Sequence, residues 1–217
     1  SYIQDELNIN GFVVIPDVLT TEEIHTARNM FFEWYSNIPK IKEFHAKFDP
    51  HNIFKYHRAG HQPCAWYLRT LPAVQQVFSE VWNTTDLVTS FDGSCYYEPS
   101  TKISKGTWTH TDQAPKDKKR ICVQGFVTLT DNVNNTLIVY RGSHKLFNSY
   151  YKSKGMDTSS KQWNKIDISY LNDIRDSKVT IPVTAGSMVL WDSRTFHQNN
   201  LPNRTEERLV QYICMMP

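Results

Sequence analysis

His110 and Asp112 stand two residues apart in the stretch WTHTDQ, which spans residues 108–113. The stretch has the composition of a β-strand, and side chains at positions i and i+2 of a strand point to the same face. The imidazole and the carboxylate would therefore approach the same point from one side. A histidine nitrogen beside a carboxylate oxygen supplies half of a site for a metal such as Fe(II). Because His-x-Asp pairs also arise by chance on protein surfaces, this interpretation requires a third ligand.

His197 is the candidate third ligand, near the end of the β-rich segment GSMVLWDSRTFHQNN. Two histidines and one carboxylate from different strands form a facial triad. Such a triad leaves three neighbouring positions on iron open for a bidentate cosubstrate and O₂. The sequence therefore predicts His110, Asp112 and His197 as metal-binding and catalytic residues.

Arg208 follows His197 by eleven residues, in the last β-rich run, ERLVQYICMM. An arginine that points into the interior of a β-barrel needs an anionic partner, because an unpaired buried charge is very costly. A dicarboxylate could meet the guanidinium with its far end in bidentate fashion. We therefore expect Arg208 to bind an anionic cosubstrate close to the metal.

The elements around these residues predict a mainly β fold with flanking α-helices. From residue 86 onward short β-rich runs alternate with turn residues, apart from a more polar and helical insert at about 146–177. Many short strands separated by turns argue for an antiparallel sandwich or barrel. We expect one domain, with a helical N-terminal part at 1–85 and a β core at 86–217.

Two helices are predicted before the β core. Threonine caps and early glutamates indicate a helix from about Thr21 to Ser36, and LPAVQQVFSEVW indicates another at 71–82, with Pro72 in its first turn. Both are expected to pack on one outer face of the β structure. Residues 40–66 are expected to be irregular, and the stretch HNIFKYHRAGHQPC within them, residues 51–64, is expected to form a loop over the barrel mouth that contributes to substrate binding or lid closure.

Composition excludes several functional classes. The chain's 24 Lys and Arg residues nearly balance its 22 Asp and Glu residues. Such a small excess of positive charge does not indicate a protein that binds nucleic acid or a membrane surface. No run of 18 apolar residues could span a bilayer. The four cysteines lack CxxC spacing and are expected to be buried free thiols in a reducing compartment, with the cytoplasm as the default location.

Four features together resemble the Fe(II)/2-oxoglutarate-dependent oxygenases, and specifically the phytanoyl-CoA dioxygenase-like family. They are the segments INGFVVIPDVLTTEEI, NTLIVYRGSHK and AGSMVLWDSRTFHQN, and the position of Arg208 relative to His197. The resemblance covers the chain from about Asn10 to Pro217. It implies a double-stranded β-helix (a jelly roll, cupin-like), which agrees with the pattern of strands. It also implies that the triad holds Fe(II) and that Arg208 binds the distal carboxylate of 2-oxoglutarate.

Three more residues are candidate contacts of 2-oxoglutarate. The family often has a hydroxyl residue two positions after the second histidine, whereas this chain has Asn199 there, a departure that keeps a hydrogen-bond donor. Tyr97, on the strand before WTHTDQ, and Gln124, on the strand after it, are further candidate donors. For Tyr97 and Gln124, ordinary structural hydrogen bonding is the alternative.

The resemblance implies a dioxygenase that uses O₂, releases succinate and CO₂ from 2-oxoglutarate, and hydroxylates an unactivated C–H bond. Related halogenases lack the metal-binding carboxylate, so the presence of Asp112 favours hydroxylation. A small-molecule substrate is expected, and a protein or nucleic-acid substrate stays open. The alternative is a non-catalytic jelly-roll binding module that retains a remnant metal site. The sequence does not indicate an oligomeric state.

Two other polar clusters have alternative interpretations. The stretch HNIFKYHRAGHQPC contains His51, His57, His61 and Cys64, which could mimic a zinc site, although their spacing fits no standard finger. The stretch APKDKKR contains four basic residues, Lys116, Lys118, Lys119 and Arg120. This loop is either a solvated hairpin or a cationic rim near the iron that attracts an anionic substrate, such as a phosphorylated or CoA-linked molecule.

Overall fold

The structure is a computed structural model that describes residues 1–49, 51–99, 106–200 and 205–217. The α-helices in these ranges are α1 (Tyr2–Asn10), α2 (Thr21–Ser36), α3 (Ile41–Phe48), α4 (Pro63–Arg69), α5 (Pro72–Trp82), α6 (Phe147–Ser153) and α7 (Ile168–Asp173). The strands are β1 (Phe12–Ile15), β2 (Val88–Thr89), β3 (Ser94–Tyr97), β4 (His110–Thr111), β5 (Val123–Thr128), β6 (Leu137–Tyr140), β7 (Asn164–Lys165), β8 (Lys178–Thr180), β9 (Met188–Asp192), β10 (His197–Asn199), β11 (Arg208–Ile213) and β12 (Met215–Met216).

Two antiparallel five-stranded sheets dominate the described chain. Their strand orders are β1-β9-β5-β11-β3 and β7-β4-β10-β6-β8, and β12 pairs separately with β2. Side chains from both sheets share one apolar core, in which Phe126 and Val210 of the first sheet meet Leu137 and Val139 of the second. This is the double-stranded β-helix expected from the sequence, and that prediction is confirmed.

Helices cover the outer face of the first sheet. Leu7 of α1, Phe31 of α2 and Phe78 of α5 belong to one buried cluster with Val127 and Leu190, which point outward from β5 and β9. The alternation of inward and outward residues along these strands follows from the two-residue period of a β-strand. The expectation that the two early helices pack against one outer face is therefore confirmed. The N-terminal part also contributes β1, which pairs along β9 in this sheet.

The insert between β6 and β8 covers the outer face of the second sheet. Phe147 and Tyr151 of α6 and Leu171 of α7 pack with Ile138 and Phe196. This cluster supports the strands β6 and β10 from outside, on the sheet that carries the candidate metal ligands.

Local signals account for the bounds of α2 and α5. Thr20 and Glu23 form a reciprocal capping box at the start of α2, which satisfies backbone N–H groups that have no partner within the helix. Pro72 occupies the first turn of α5, where its missing N–H costs nothing. The expected helices at Thr21–Ser36 and 71–82 therefore agree with the structure.

The expectation of an irregular segment at 40–66 is wrong in part. The helix α3 and the start of α4 lie in this range, with a 3₁₀ turn at Ala59–His61 between them. Ile41 and His45 are buried one helical turn apart, and Phe44 packs on Tyr56 with ring centroids 5.3 Å apart. Tertiary packing of these apolar side chains thus stabilises a helix in a segment whose sequence predicted irregular structure.

The four cysteines are free thiols, and three of them, Cys64, Cys95 and Cys214, are buried while Cys122 is half-buried. The sulfurs of Cys122 and Cys214 lie 3.4 Å apart, within hydrogen-bond distance and without a disulfide bond. In the described parts of the chain, the structure contains no helix long and apolar enough to cross a membrane.

Candidate metal centre

The three predicted ligands meet at one point of the second sheet. His110 of β4 and His197 of β10 stand directly opposite each other in the antiparallel pairing. Asp112 follows β4 immediately, and its Oδ2 lies 3.2 Å from His110 Nε2 and 3.1 Å from His197 Nε2. The three ligand atoms all lie within 4.8 Å of one another. The two-residue strand period therefore brings together the residues that the sequence pattern singled out.

Backbone carbonyl groups fix the orientation of both imidazoles. His110 Nδ1 lies 3.0 Å from the carbonyl oxygen of Trp108, and His197 Nδ1 lies 2.8 Å from that of Thr195. A carbonyl oxygen only accepts, so each Nδ1 carries the proton and each Nε2 presents its lone pair to the cluster. This arrangement is typical of metal-ligating histidines.

The protonation states of His110 and Asp112 also suit a metal. Burial lowers the pKa of His110, and the neighbouring His197 lowers it further, so the imidazole is neutral. Burial alone would raise the pKa of the Asp112 carboxyl, but its contacts with the two imidazoles outweigh burial and leave the pKa well below its usual range. Two imidazole nitrogens and one carboxylate oxygen form a donor set that fits Fe(II).

Gln124 and Trp191 support the carboxylate. The Gln124 amide nitrogen donates to Asp112 Oδ2 at 3.0 Å, and its amide oxygen accepts from the indole nitrogen of Trp191 at 2.8 Å. Gln124 was expected as a donor to 2-oxoglutarate, and the structure gives its amide this structural role. Trp191 was missed, although it lies in the segment that leads to His197.

Arg208 is buried on β11, and its side chain forms no ion pair with a carboxylate of the described residues. One of its terminal nitrogens, Nη1, lies 3.5 Å from the sulfur of Cys95, and the guanidinium lies 5.3 Å from the centre of the Phe126 ring. The other, Nη2, is buried without a hydrogen-bond partner among the described residues. A buried guanidinium with an unpaired donor fits a site for an anionic group such as the distal carboxylate of 2-oxoglutarate.

Tyr212, which was not predicted from the sequence, hydrogen-bonds with Arg208 and lines the metal cavity. Asn199 Nδ2 lies 3.3 Å from the Tyr212 hydroxyl oxygen, and both residues line the cavity that contains the triad. Burial raises the pKa of Tyr212, so its phenol stays protonated and can donate. Tyr212 stands four residues after Arg208, an even separation that places both on one face of the strand. That spacing could have identified it.

Tyr97 faces Arg208 in the pairing of β3 with β11. Its hydroxyl donates to the backbone carbonyl of His51 at 3.1 Å, and burial raises its pKa. This contact joins β3 to the segment that follows α3. Tyr97 therefore forms a structural hydrogen bond, which was the alternative role for this residue. A contact of Tyr97 with 2-oxoglutarate stays a prediction.

A cavity of about 1070 Å³ opens onto the triad. Its walls include the indoles of Trp108, Trp163 and Trp191, and residues from the 40–66 segment such as Ile53 and Phe54. Part of that segment therefore contributes to the cavity, as expected. Trp108 could have been predicted from its position two residues before His110, because the two share a strand face.

The basic loop does not form a wall of this cavity. Arg120 pairs with the buried carboxylate of Asp192 at 2.8 Å, and the ammonium of Lys118 donates to the carbonyl oxygen of Pro115 at 2.9 Å. Neither these residues nor Lys116 and Lys119 line the cavity. The expectation of a cationic rim beside the iron is not supported.

The four residues that could have mimicked a zinc site lie in separate environments. His51 stacks on Trp108 at 3.9 Å, His57 contacts Phe44 at 4.6 Å, and His61 contacts Phe91 at 4.7 Å. Burial raises the pKa of the Cys64 thiol to about 12. Among the described residues, the cluster that could hold a metal is His110, Asp112 and His197.

Comparisons with known proteins agree with this geometry. The family described as "Phytanoyl-CoA dioxygenase (PhyH)" matches residues 7–209. "Ava biosynthesis cluster protein O" of Aspergillus versicolor is 28% identical over 242 residues, which cover 99% of this chain and 77% of that protein.

Two solved structures share the fold over the whole chain. EctD from S. alaskensis, solved with 2-oxoglutarate and 5-hydroxyectoine, has a TM-score of 0.68 and is 13% identical, covering 100% of this chain and 75% of that one. HygX from Streptomyces hygroscopicus, solved with nickel and 2-oxoglutarate, has a TM-score of 0.67 and is 15% identical, covering 100% of this chain and 86% of that one.

Proposed function

The chain belongs to the phytanoyl-CoA dioxygenase family, and from this membership we propose that it is an Fe(II)- and 2-oxoglutarate-dependent dioxygenase that hydroxylates a C–H bond of a small molecule. The observation that carries the proposal is the cluster of His110, Asp112 and His197, whose ligand atoms lie within 4.8 Å of one another. Arg208, buried nearby with an unpaired guanidinium nitrogen, supplies a partner for the cosubstrate.

The protein's own residues would bind the metal and the cosubstrate, orient the substrate and exclude water from the site. His110 and His197 would hold iron through Nε2, because their Nδ1 atoms donate to backbone carbonyls. Asp112 holds it through a carboxylate that the Gln124 amide keeps in place. Bound iron and 2-oxoglutarate supply the oxidation of the substrate by O₂, with release of succinate and CO₂.

Arg208 would pair with the distal carboxylate of 2-oxoglutarate, with Tyr212 and Asn199 as neutral donors beside it. The phenol of Tyr212 is protonated because burial raises its pKa, and the Asn199 amide already lies 3.3 Å from the Tyr212 hydroxyl. A buried guanidinium and two neutral donors discriminate for an anionic oxygen ligand over water.

Asp112 favours hydroxylation over halogenation. Its carboxylate oxygen lies 3.2 Å from His110 Nε2 and 3.1 Å from His197 Nε2, so Asp112 would be an iron ligand in place of a halide. The proposed outcome is therefore transfer of a hydroxyl group to the substrate. Replacing Asp112 by alanine would remove this ligand and expose the site to added halide.

The test is succinate formation by the purified chain with Fe(II), 2-oxoglutarate and ascorbate under air. We expect slow succinate release without a prime substrate, and its loss in His110→Ala and Asp112→Ala, which should also bind iron about tenfold more weakly or worse. His25→Ala, which removes an exposed histidine of α2, is the matched control and should behave like the natural chain.

A chain that binds iron and 2-oxoglutarate but releases no succinate with any substrate would favour the alternative, a non-catalytic jelly-roll binding module. We also propose the cytoplasm as the location, since the four cysteines are free thiols.

A further inference from the structure

Two indole rings stack against the metal ligand His110. The rings of Trp108 and His110 are nearly parallel, at 16°, with centroids 5.0 Å apart. The rings of His110 and Trp163 make 27° at 5.1 Å. Both tryptophans also line the cavity. The part of the cavity next to the triad therefore presents indole surfaces, which favour flat or ring-shaped apolar groups.

The rim of the cavity also exposes large aromatic side chains. Phe91 is 58% exposed and Trp163 is 42% exposed, and both line the cavity. Single apolar residues on a surface need no explanation. Two large aromatic side chains at the mouth of a deep cavity instead indicate the surface on which an apolar ligand is buried.

Away from the metal site and Arg208, the less exposed charge of the cavity wall is a carboxylate, which disfavours an anionic ligand there. Apart from Asp112, the Lys, Arg, Asp and Glu residues among the described lining residues are Lys55 and Asp92. Lys55 is exposed, whereas Asp92 is half-buried. Carboxylates near a binding site repel phosphate and carboxylate groups and accept hydrogen bonds from amines and hydroxyls.

Asp92 is held in place for such a contact. Its backbone carbonyl accepts hydrogen bonds from Arg69 Nη2 and from Gln211 Nε2, both at 2.8 Å. Its side chain accepts a short hydrogen bond from the hydroxyl of Ser90, which also lines the cavity. The carboxylate forms no ion pair within the described ranges. It therefore keeps acceptor capacity for a ligand.

From these observations we propose that the cavity binds a ring-bearing small molecule with an amine or hydroxyl donor, rather than a phosphorylated or CoA-linked molecule. Trp163 and Phe91 contact the ring, and Asp92 accepts the hydrogen bond from the donor. That this molecule is the substrate rests on the proposed oxygenase function. That the cavity binds it can be measured without any turnover.

The test is calorimetric titration of the chain saturated with Zn(II) and 2-oxoglutarate, so that the metal and Arg208 are already occupied, using three probes that share one ring system. The probes are naphthylethylamine, naphthylethanol and naphthylacetate, and coenzyme A is titrated beside them. We expect the amine and the alcohol to bind about tenfold or more tightly than the acetate, and coenzyme A to bind no better than the acetate.

Variants assign the contacts. Trp163→Ala should weaken the amine and the alcohol alike, by about tenfold. Asp92→Asn should remove most of the difference between amine and acetate while the alcohol changes little. Phe48→Ala is the matched control, because Phe48 is an exposed aromatic residue, 43% accessible, outside the cavity wall.

The proposal is overturned if the acetate or coenzyme A binds as tightly as the amine, if none of the probes binds, or if Trp163→Ala binds them like the natural chain. The proposed oxygenase function is contradicted by a different result, the absence of succinate release. A chain that binds the ring probes as described but releases no succinate keeps the cavity assignment and loses the oxygenase assignment.

Discussion

The amide nitrogen of Gln124 lies 3.0 Å from the Oδ2 of Asp112, the same oxygen that the two histidines of the triad approach. Gln124 is on the first sheet, and Asp112 directly follows a strand of the second. The hydrogen bond therefore crosses between the sheets. It sets the distance of the metal-binding carboxylate from the opposite wall of the jelly roll.

Gln124→Leu should lower iron affinity by about 10- to 100-fold, because outer hydrogen-bond partners of metal ligands typically contribute this much. Affinity would be measured by competition with a chelator. Gln211→Leu is the control for loss of a buried amide, since Gln211 bonds to Ser94 and Asp92 and lies away from the triad. Equal iron affinity in Gln124→Leu and the natural chain would mean that the carboxylate needs no such support.

Arg208→Met should leave the chain without ligands as stable as the natural one or more stable. The natural guanidinium is buried with an unpaired nitrogen, and replacing a buried charge by an apolar side chain of similar volume is often neutral or stabilising. The same variant should bind 2-oxoglutarate roughly 30- to 4,000-fold more weakly, while its iron affinity changes little.

Thermal unfolding with and without 2-oxoglutarate measures both effects of Arg208→Met. Arg208→Lys keeps the charge without the planar fork and should give an intermediate loss of 2-oxoglutarate affinity. If Arg208→Met unfolds at a clearly lower temperature without ligand, the arginine has a structural partner and is not reserved for the cosubstrate.

Asp192→Asn should reveal an acid-sensitive contribution to stability. The Asp192 carboxylate is fully buried between Arg120 and Arg194. Burial would raise its pKa, but the two guanidinium groups outweigh burial and lower it. A lowered folded-state pKa stabilises the folded chain above the unfolded value of about 3.9, and this contribution is lost as pH falls through the folded-state pKa.

We therefore expect Asp192→Asn to lower the free energy of unfolding by about 3 kcal/mol at neutral pH. The difference from the natural chain should shrink below about pH 4. Urea unfolding at several pH values measures it, with Asp173→Asn on an exposed position of α7 as the control. A difference independent of pH down to acid unfolding would contradict the assignment.

Arg69 connects two loops at the cavity mouth, around Gly60 and around Asp92, through hydrogen bonds. Its terminal nitrogens donate to the backbone carbonyls of Gly60 at 2.6 Å and Asp92 at 2.8 Å. Arg69→Met should lower the free energy of unfolding by about 2 kcal/mol, because it leaves two carbonyl groups without their charged donor. Amide hydrogen exchange should increase first around residues 59–61 and 90–93. Uniform protection in these loops would show that other contacts hold them.

The parts of the site that sequence patterns predicted are local. His110 and Asp112 share a strand face because the side-chain period of a strand is two residues. Arg208 could be assigned to the interior because a charged residue in a buried strand needs a partner. Both arguments use neighbours in the chain and basic strand geometry.

The parts that the sequence left open depend on distant contacts. Gln124 looked like a donor to the cosubstrate, and its bond to Asp112 follows from how the two sheets face each other. Trp163 lies in the insert, so its stacking on His110 depends on where the insert packs. The helix α3 was missed because it has only eight residues, and the packing of its apolar side chains depends on contacts with residues after the helix.

The direct pairing of His110 with His197 has a consequence for folding. The strand β4 has two residues and β10 has three, so backbone pairing alone fixes their register weakly. A metal held by both imidazoles would act as a cross-link that only the correctly registered chain can bind. Binding at one hundred times the dissociation constant adds about 2.7 kcal/mol to the free energy of unfolding. The supply of metal would then set how much of the chain stays folded, and not only how fast it turns over substrate.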